Sequence, residues 1–411
     1  MISYWDFQDE GMQVTQKTPI FFADRGHRVT FMVHSETTAR AVSKKDIHPG
    51  IKVLRFDMPM KWMNEFNILK RPRQLILFSL LCFWAAFRFC RQGNKPDIVY
   101  AAEADAVLIG VILSRVYGVP LIIRFYGVSR LAAYFDFENG KLKGLDFHHY
   151  FTKLAMTRRA DMAIITDDGS RGLEIFKALN SRVINIKFWR NGVDKPKLGS
   201  LDKKRLKKRL GFTEEDFILL TLCRLDCWKG VDLAIQALHR ALNTGLKNIK
   251  LLIVGHGPEL AALKKLVSNL QINEYVYFVG PVPHSEVYAY FHLTDIFLSL
   301  YRYSNIGNPL WEALNSGSCI ITLDTGRTGT VIIDDFNGRL IKYEKNEELL
   351  ASHIADIIIS LYRNPNLRRK LRNGAREYSK KELWTWDERL NTELNALYEV
   401  LPWKEQDNRR D

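Results

Sequence analysis

The stretch Phe217-Ile-Leu-Leu-Thr-Leu-Cys-Arg-Leu-Asp-Cys-Trp-Lys-Gly-Val-Asp232 holds a seven-residue run that is apolar but for Thr221, a polar turn, and the start of a helical stretch over 231–242. It reads as a buried β-strand delivered into a helix, the unit from which parallel α/β sheets are built. Arg224 and Lys229 then fall at the carboxyl edge of the sheet, where ligands bind in doubly wound folds. Two cations at such an edge suit a diphosphate, Arg through its fork of donors and Lys as a point charge; a solvated surface pair explains an isolated Arg-x4-Lys equally well.

The same alternation continues on both sides. Strand-like runs fall at 28–33, 98–100, 121–125, 162–166 and 183–186, and again at 217–223, 250–254, 276–279, 296–300, 319–323 and 339–341. Helical stretches lie between them at 107–117, 231–242, 259–269, 286–291 and 309–314. These are too many strands for one comfortable sheet. Residues 195–209 crowd Lys195, Lys197, Lys203, Lys204, Arg205, Lys207, Lys208 and Arg209 into a segment with little apolar content, which reads as the linker. The expected fold class is therefore α/β, two Rossmann-like domains with parallel sheets facing each other across a cleft. The expected boundaries are 1–195, 196–385 and a carboxyl-terminal helix over 386–411 that crosses back to the first domain.

Composition bounds the function. A chain of 411 residues, 46% hydrophobic and 26% charged, is long enough to bury two cores and excludes a disordered, collagen-like or disulfide-scaffold protein. Lys plus Arg number 60 against 46 Asp plus Glu, a net +14, which points to a polyanionic neighbour or to solubility alone. The surplus is uneven: residues 1–200 carry 30 basic and 19 acidic side chains, whereas residues 251–350 carry 7 and 11. Segment 74–90 is rich in Leu, Phe and Trp84 and flanked by Lys70, Arg71, Arg73, Arg88 and Arg91. It is too short to span a bilayer, and reads either as a helix packed on the first sheet or as an interfacial helix on anionic lipid, with Trp62 and Met63 extending its apolar surface. Nucleic acid is excluded as a partner, since neither a recognition helix nor aromatics interleaved on a basic strand surface occur. The cysteines Cys82, Cys90, Cys223, Cys227 and Cys319 are read as reduced thiols of a cytosolic protein, and none has zinc-ligand spacing to a second pair. The first residues lack the basic and apolar regions of a signal peptide and read as a strand entered partway.

Two further segments carry chemistry. Val254-Gly-His-Gly-Pro-Glu259 lies between strand and helix, but Leu260 stands where a dinucleotide fingerprint needs Gly or Ala, so NAD binding is disfavoured. Gly255 and Gly257 are expected in a tight turn that lets the backbone approach a ligand or a neighbouring loop. The segment Ser304-Asn-Ile-Gly-Asn-Pro-Leu-Trp-Glu312 follows a strand, with Pro309 suited to a first helical turn. The amides around Gly307 and Asn308 form a helix-start anion site, and Glu312, one turn on, is placed to accept from ribose hydroxyls.

In this order the segments resemble the retaining glycosyltransferases of family 4 (group 1), whose fold is the two-domain GT-B, over nearly the whole chain. Asp24-Arg-Gly-His-Arg-Val29, Lys95-Pro-Asp-Ile-Val-Tyr100, Arg159-Ala-Asp-Met-Ala-Ile164 and Arg190-Asn-Gly-Val-Asp194 match in the amino-terminal half. Arg224-Leu-Asp-Cys-Trp-Lys-Gly-Val231, Val254-Gly-His-Gly-Pro258 and Trp311-Glu-Ala-Leu314 follow at the family's intervals. The resemblance implies a donor-binding carboxyl-terminal domain and an acceptor-binding amino-terminal one. Arg224 and Lys229 would bind the donor diphosphate and Glu312 the ribose. Gly307, Asn308 and their neighbours would meet phosphate and sugar, and Gly11 would approach the donor. No metal and no cofactor is implied, the nucleotide diphosphate sugar being a substrate.

The chain departs from the family pattern twice. Ser304 stands where the first Glu of E-x7-E belongs, with Asn305 or Asn308 as the substitute sugar contact, since amides both donate and accept. Tyr126 replaces a His often found near the reacting sugar; it can hydrogen-bond a hydroxyl but is no base near neutral pH. The function expected is transfer of a sugar, with retention, from a nucleotide diphosphate donor to a lipid-linked or saccharide hydroxyl, by a cytoplasmic protein peripheral on the inner membrane face. The alternative is a catalytically weak nucleotide-sugar-binding protein of the same fold.

Overall fold

The computed structural model describes residues 1–3, 13–35, 48–57, 70–91, 95–132, 134–136, 138–142, 147–194 and 203–401. The chain divides into two compact units. Unit 1 comprises Met1–Asp167, Arg171–Asn191 and Asp387–Asp411; unit 2 comprises Asp168–Ser170 and Gly192–Trp386.

Unit 1 is built on β1 (Ile2–Ser3), β2 (Val29–Ser35), β3 (Ile51–Asp57), β4 (Val99–Ala102), β5 (Leu121–Phe125), a small hairpin of β6 (Phe135–Asp136) and β7 (Lys141–Leu142), β8 (Ala160–Thr166) and β9 (Val183–Trp189). Seven of these form one parallel sheet in the order β3-β2-β1-β4-β5-β8-β9. Strands β4 and β5 are buried throughout, which is why they read as short unbroken apolar runs. The edge strand β3, Ile-Lys-Val-Leu-Arg-Phe-Asp, is only half-buried, and its interspersed cations hid it from the sequence reading.

Segment 74–90 belongs to the helix Lys70–Arg91, which has one face in the core and one facing outward. Phe78, Cys82 and Ala86, four apart, are buried in the core of unit 1. Ile76, Leu80, Phe83, Trp84 and Phe87 point outward, 36–63% exposed. Among the described residues no helix is long and apolar enough to cross a membrane. Trp62 and Met63 lie outside the described residues.

The helix Trp386–Glu399 is held in unit 1 by contacts that the two members of a buried intrahelical ion pair make with Tyr100 and with the backbone of Arg190. Arg389 Nη1 donates to Glu393 Oε2 at 2.8 Å, with both side chains 1% exposed. Tyr100 Oη donates to the other Glu393 oxygen at 2.7 Å, and Arg389 Nε donates to the carbonyl of Arg190 at 3.0 Å.

Unit 2 contains β10 (Phe217–Leu222), β11 (Ile249–Val254), β12 (Val276–Gly280), β13 (Ile296–Ser299), β14 (Ile320–Asp324) and β15 (Arg339–Lys342). They form a parallel sheet in the order β12-β11-β10-β13-β14-β15. Alternate residues serve alternate faces: Leu219, Leu251, Leu298 and Ile321 enter one core, and Ile218, Leu220, Leu252, Phe297 and Ile320 the other. The chain runs outward from β10 to β12, then returns to the far side of β10 as β13. The strand order reverses between β10 and β13, which is the ligand crevice of an open α/β sheet.

One expectation needs correction. The basic segment 195–209 is not all linker, because Lys203–Leu210 is a helix of unit 2. Leu206 anchors it in the core, and Lys207 buries its stem while its ammonium donates to Thr213 O at 2.9 Å and pairs with Glu214 at 3.0 Å. Charge density hid a one-sided helix anchored by Leu206 and, partly buried, Leu210, with a snorkelling lysine.

The docking helix yields a prediction. Glu393→Ala, which strands a buried guanidinium, is expected to destabilise unit 1 by about 3–5 kcal/mol. Glu399→Ala, at an exposed pair with Lys187 3.2 Å away, is expected to change stability by less than about 1 kcal/mol. Urea unfolding of the two variants checks the contrast.

Candidate active site

The turn after β10 is set by a backbone approach. Cys227–Lys229 form a single 3-10 turn closed by Gly230 in the left-handed conformation, φ +65°. A Cβ on Gly230 would lie 2.0 Å from the carbonyl oxygen of Leu300, so only glycine lets this turn sit on the end of β13. Arg302 ties the same turn from the β13 side. Its amide donates to Trp228 O at 2.8 Å, its Nη1 to Cys227 O at 2.7 Å, and its guanidinium takes Asp232 bidentately and pairs with Glu347 at 2.7 Å.

Lys229 is thereby pressed into an aromatic enclosure. Its Nζ lies 3.8 Å from the centre of the Trp228 ring and 3.7 Å from that of Tyr301. Burial pulls its pKa down to about 8, against the opposing pull of Cys223, Asp226 and Asp168. Ring faces stabilise an ammonium but replace its water poorly. Arg224, by contrast, is exposed and paired with Asp226 Oδ2 at 3.3 Å.

The turn after β11 meets the turn after β10. Gly255, φ +135°, lies so close to Cys223 that a Cβ would come within 1.9 Å of its carbonyl oxygen, and Leu225 N donates to His256 O at 3.1 Å. Of the two roles open to this Gly-x-Gly, the structure shows approach to a neighbouring loop.

After β13 the chain enters the helix Asn308–Ser316 with Pro309 in its first turn. Gly307 caps it with φ −163°, a backbone any residue adopts; what its missing side chain provides is open room over the helix start. Asn308, the first helical residue, is half-buried beneath that opening. Glu312 is buried, with Oε1 2.9 Å from His284 Nε2, and lies within electrostatic reach of the buried Tyr301 phenol, whose pKa is held well above its ordinary range by burial, Cys223 and Glu312.

The other predicted residues separate. Asn305 is wholly buried, and its amide is consumed inside the loops: Oδ1 accepts from Ser299 Oγ and Tyr301 N, and Nδ2 donates to Tyr301 O, Leu323 O and Thr325 Oγ1, all within 2.8–3.2 Å. It is a brace of the β13 loop, which corrects its expected role as a sugar contact. Ser304 Oγ donates to the carbonyl of Asp168 at 2.6 Å, so it clasps the short segment Asp168–Ser170. Tyr126 stands in unit 1, where its amide donates to Glu103 Oε1 at 2.7 Å and its ring lies 5.0 Å from the Arg124 guanidinium. Burial, ahead of Glu103 and Glu393, raises its phenol further from deprotonation. Gly11 lies outside the described residues.

Sequence reasoning missed Trp228 and Tyr301 as walls around Lys229, and His284 as the partner of Glu312. Trp228 sits inside the quoted motif. The other two contacts come from distant strand and helix ends, and no local pattern announces them.

Two α/β units, each with a parallel sheet whose order reverses about a central strand, define the GT-B class. Residues 202–378 match the family model for glycosyl transferases group 1. It is 26% identical over 275 residues to an uncharacterised glycosyltransferase of Methanocaldococcus jannaschii, covering 66% of this chain and 64% of that one. It is 25% identical over 288 residues to the alpha-monoglucosyldiacylglycerol synthase of Streptococcus pneumoniae, covering 69% and 63%. The chain thus spans just under two thirds of the length of these curated relatives. The crystal structure of Anabaena HepE in complex with UDP-glucose superposes with a TM-score of 0.71 at 16% identity, over 97% of this chain and 98% of that one, a likeness of fold.

The brace role of Asn305 is testable by calorimetric melting. Asn305→Ala removes a buried amide and strands its backbone partners, so a loss of about 2–4 kcal/mol of stability is expected.

Proposed function

We propose that this chain is a glycosyltransferase that moves a sugar from a nucleoside diphosphate donor to a hydroxyl acceptor with retention of configuration. The observation that carries the reading is the crevice between β10 and β13. There a half-buried, partly desolvated Lys229 lies in the turn after one strand and a buried Glu312 in the helix that follows its neighbour. A cation with its water removed gains more from a diphosphate than an exposed one does. Lys229, the exposed Arg224 and the amides above Gly307 and Asn308 would carry the charge of the leaving nucleoside diphosphate, with no metal required. Glu312 would accept from the ribose. The acceptor hydroxyl would attack from the face the phosphate leaves, its proton passing to a phosphate oxygen, so no protein base is needed.

Transfer assays over a panel of nucleotide sugars test this directly. Lys229→Ala and Glu312→Ala are each expected to lower kcat/KM by at least about tenfold; unchanged rates in both would overturn the site. Binding without turnover on any acceptor would favour the nucleotide-sugar-binding alternative, which the Ser304 clasp motivates. The pH dependence has a definite sign. Free Lys229 is charged below about pH 8 and neutral above it. Donor affinity should hold below that pH and fall above it by up to about tenfold per unit, as binding must then take up a proton. Lys229→Ala should flatten that limb.

The acceptor side points to a lipid surface, on the inner, anionic leaflet. Its support is the outward face of the helix Lys70–Arg91, which carries no acidic residue, with Ile112 and Val116 of the neighbouring helix Ala104–Tyr117 also exposed. Arg88 lies over Trp84 at 4.5 Å and Arg91 over Phe87 at 4.6 Å, which joins cation and aromatic where headgroup meets acyl chain. A lipid-linked acceptor fits such a face, and a saccharide acceptor remains the other reading. Sedimentation with phosphatidylglycerol vesicles should retain the protein at low salt. Phosphatidylcholine vesicles, or the triple variant Phe83→Ser, Trp84→Ser, Phe87→Ser, should release it. Equal binding to both lipids would sink the anionic component.

A further inference from the structure

The imidazole of His284 stands between two carboxylates. His284 opens the helix His284–Leu293 immediately after Pro283, and its Nε2 lies 2.9 Å from Glu312 Oε1. Across the ring, Nδ1 lies 3.9 Å from Asp194 Oδ2, an ion-pair but not a hydrogen-bond distance. Asp194 is fixed in turn, because its carbonyl accepts from Tyr288 Oη and from Asn315 Nδ2, each at 2.7 Å, and Ser379 Oγ donates to Asn315 Oδ1 at 3.0 Å.

An ionised carboxylate only accepts, so the 2.9 Å contact requires the hydrogen on Nε2. Glu312 has three side-chain torsions, and a donor from a neighbouring helix holds one of its oxygens in place. A pair of vicinal hydroxyls needs a carboxylate in one orientation, and a group that must first be ordered binds more weakly than one already held.

We infer that His284 is a positioning residue for Glu312: its Nε2–H holds Oε1 so that the carboxylate meets the donor ribose in a single orientation. The inference rests on the reading of Glu312 as the ribose-binding group. His284 acts through Glu312 and need not touch the donor. Its effect is therefore confined to the ribose and leaves recognition of the diphosphate untouched.

Calorimetric titration of the full chain with UDP, ADP and GDP, their 2′-deoxy counterparts and inorganic pyrophosphate separates these effects. The wild type is expected to prefer the ribonucleotide by about tenfold, the worth of a hydrogen bond to a charged group. His284→Ala should bring that ratio near one while pyrophosphate affinity stays unchanged, and His284→Gln, whose amide still donates, should restore most of it. A wild-type ratio kept by His284→Ala would overturn the inference alone. A wild type that does not distinguish the two sugars would overturn the ribose reading of Glu312 and this inference with it. Should His284→Ala also lose pyrophosphate, the ratio in His284→Gln decides: a retained preference supports the role and a ratio near one refutes it.

Discussion

The contact of Gly230 with the carbonyl of Leu300 is the constraint on which the carboxyl-terminal unit's chemistry depends. Two parallel strands end side by side, and the turn leaving one must lie directly on the other. A side chain at position 230 would lift that turn away. With glycine there, Lys229 Nζ lies over the rings of Trp228 and Tyr301, and Arg302 clamps the turn from the β13 side. The outcome is a half-buried cation, partly desolvated by two aromatic rings at a sheet edge, a state that an arriving anion relieves.

The polar groups around that cation divide between bracing and recognition. Asn305 spends its whole amide inside the loops, and Ser304 spends its hydroxyl on the carbonyl of Asp168. Both hold backbone in place. Glu312 is the buried acid nearby, and it is held by an imidazole from another helix. Rigid loops beneath a small number of aimed groups are what pre-organised sites are made of.

In unit 1 burial and charge are played against each other. Arg124, fully buried in β5, donates to the carbonyls of Phe125 and Ile164 and to Thr166 Oγ1. Arg389 and Glu393 repeat the pattern under the carboxyl-terminal helix. These cations contribute to the net charge of +14 without contributing to the surface. The helix Lys70–Arg91 is the complementary case, since its five basic residues come with no acid and with an exposed apolar face. The sum of charges thus says less than their placement.

Much of this was legible without coordinates. Apolar runs of three to seven residues with helical stretches between them determined the α/β class and most strands, because burial on both faces of a parallel sheet leaves a local signature. The strand–turn–helix around Lys229 and the Gly-Asn-Pro helix start were readable for the same reason. Among the elements that escaped are strand β3, at an edge where polar residues are tolerated, the hairpin of β6 and β7, the helices Glu347–Arg363 and Pro365–Glu382, and the helix Lys203–Leu210, whose apolar anchors are only Leu206 and Leu210. What only the tertiary structure decided is which residues meet: Lys229 with Tyr301, Asn305 with Leu323 and Thr325, His284 with Glu312. Those pairings follow from β13 returning beside β10 and from helices laid across both faces. Strand order is a property of the whole sheet, and local periodicity carries no record of it.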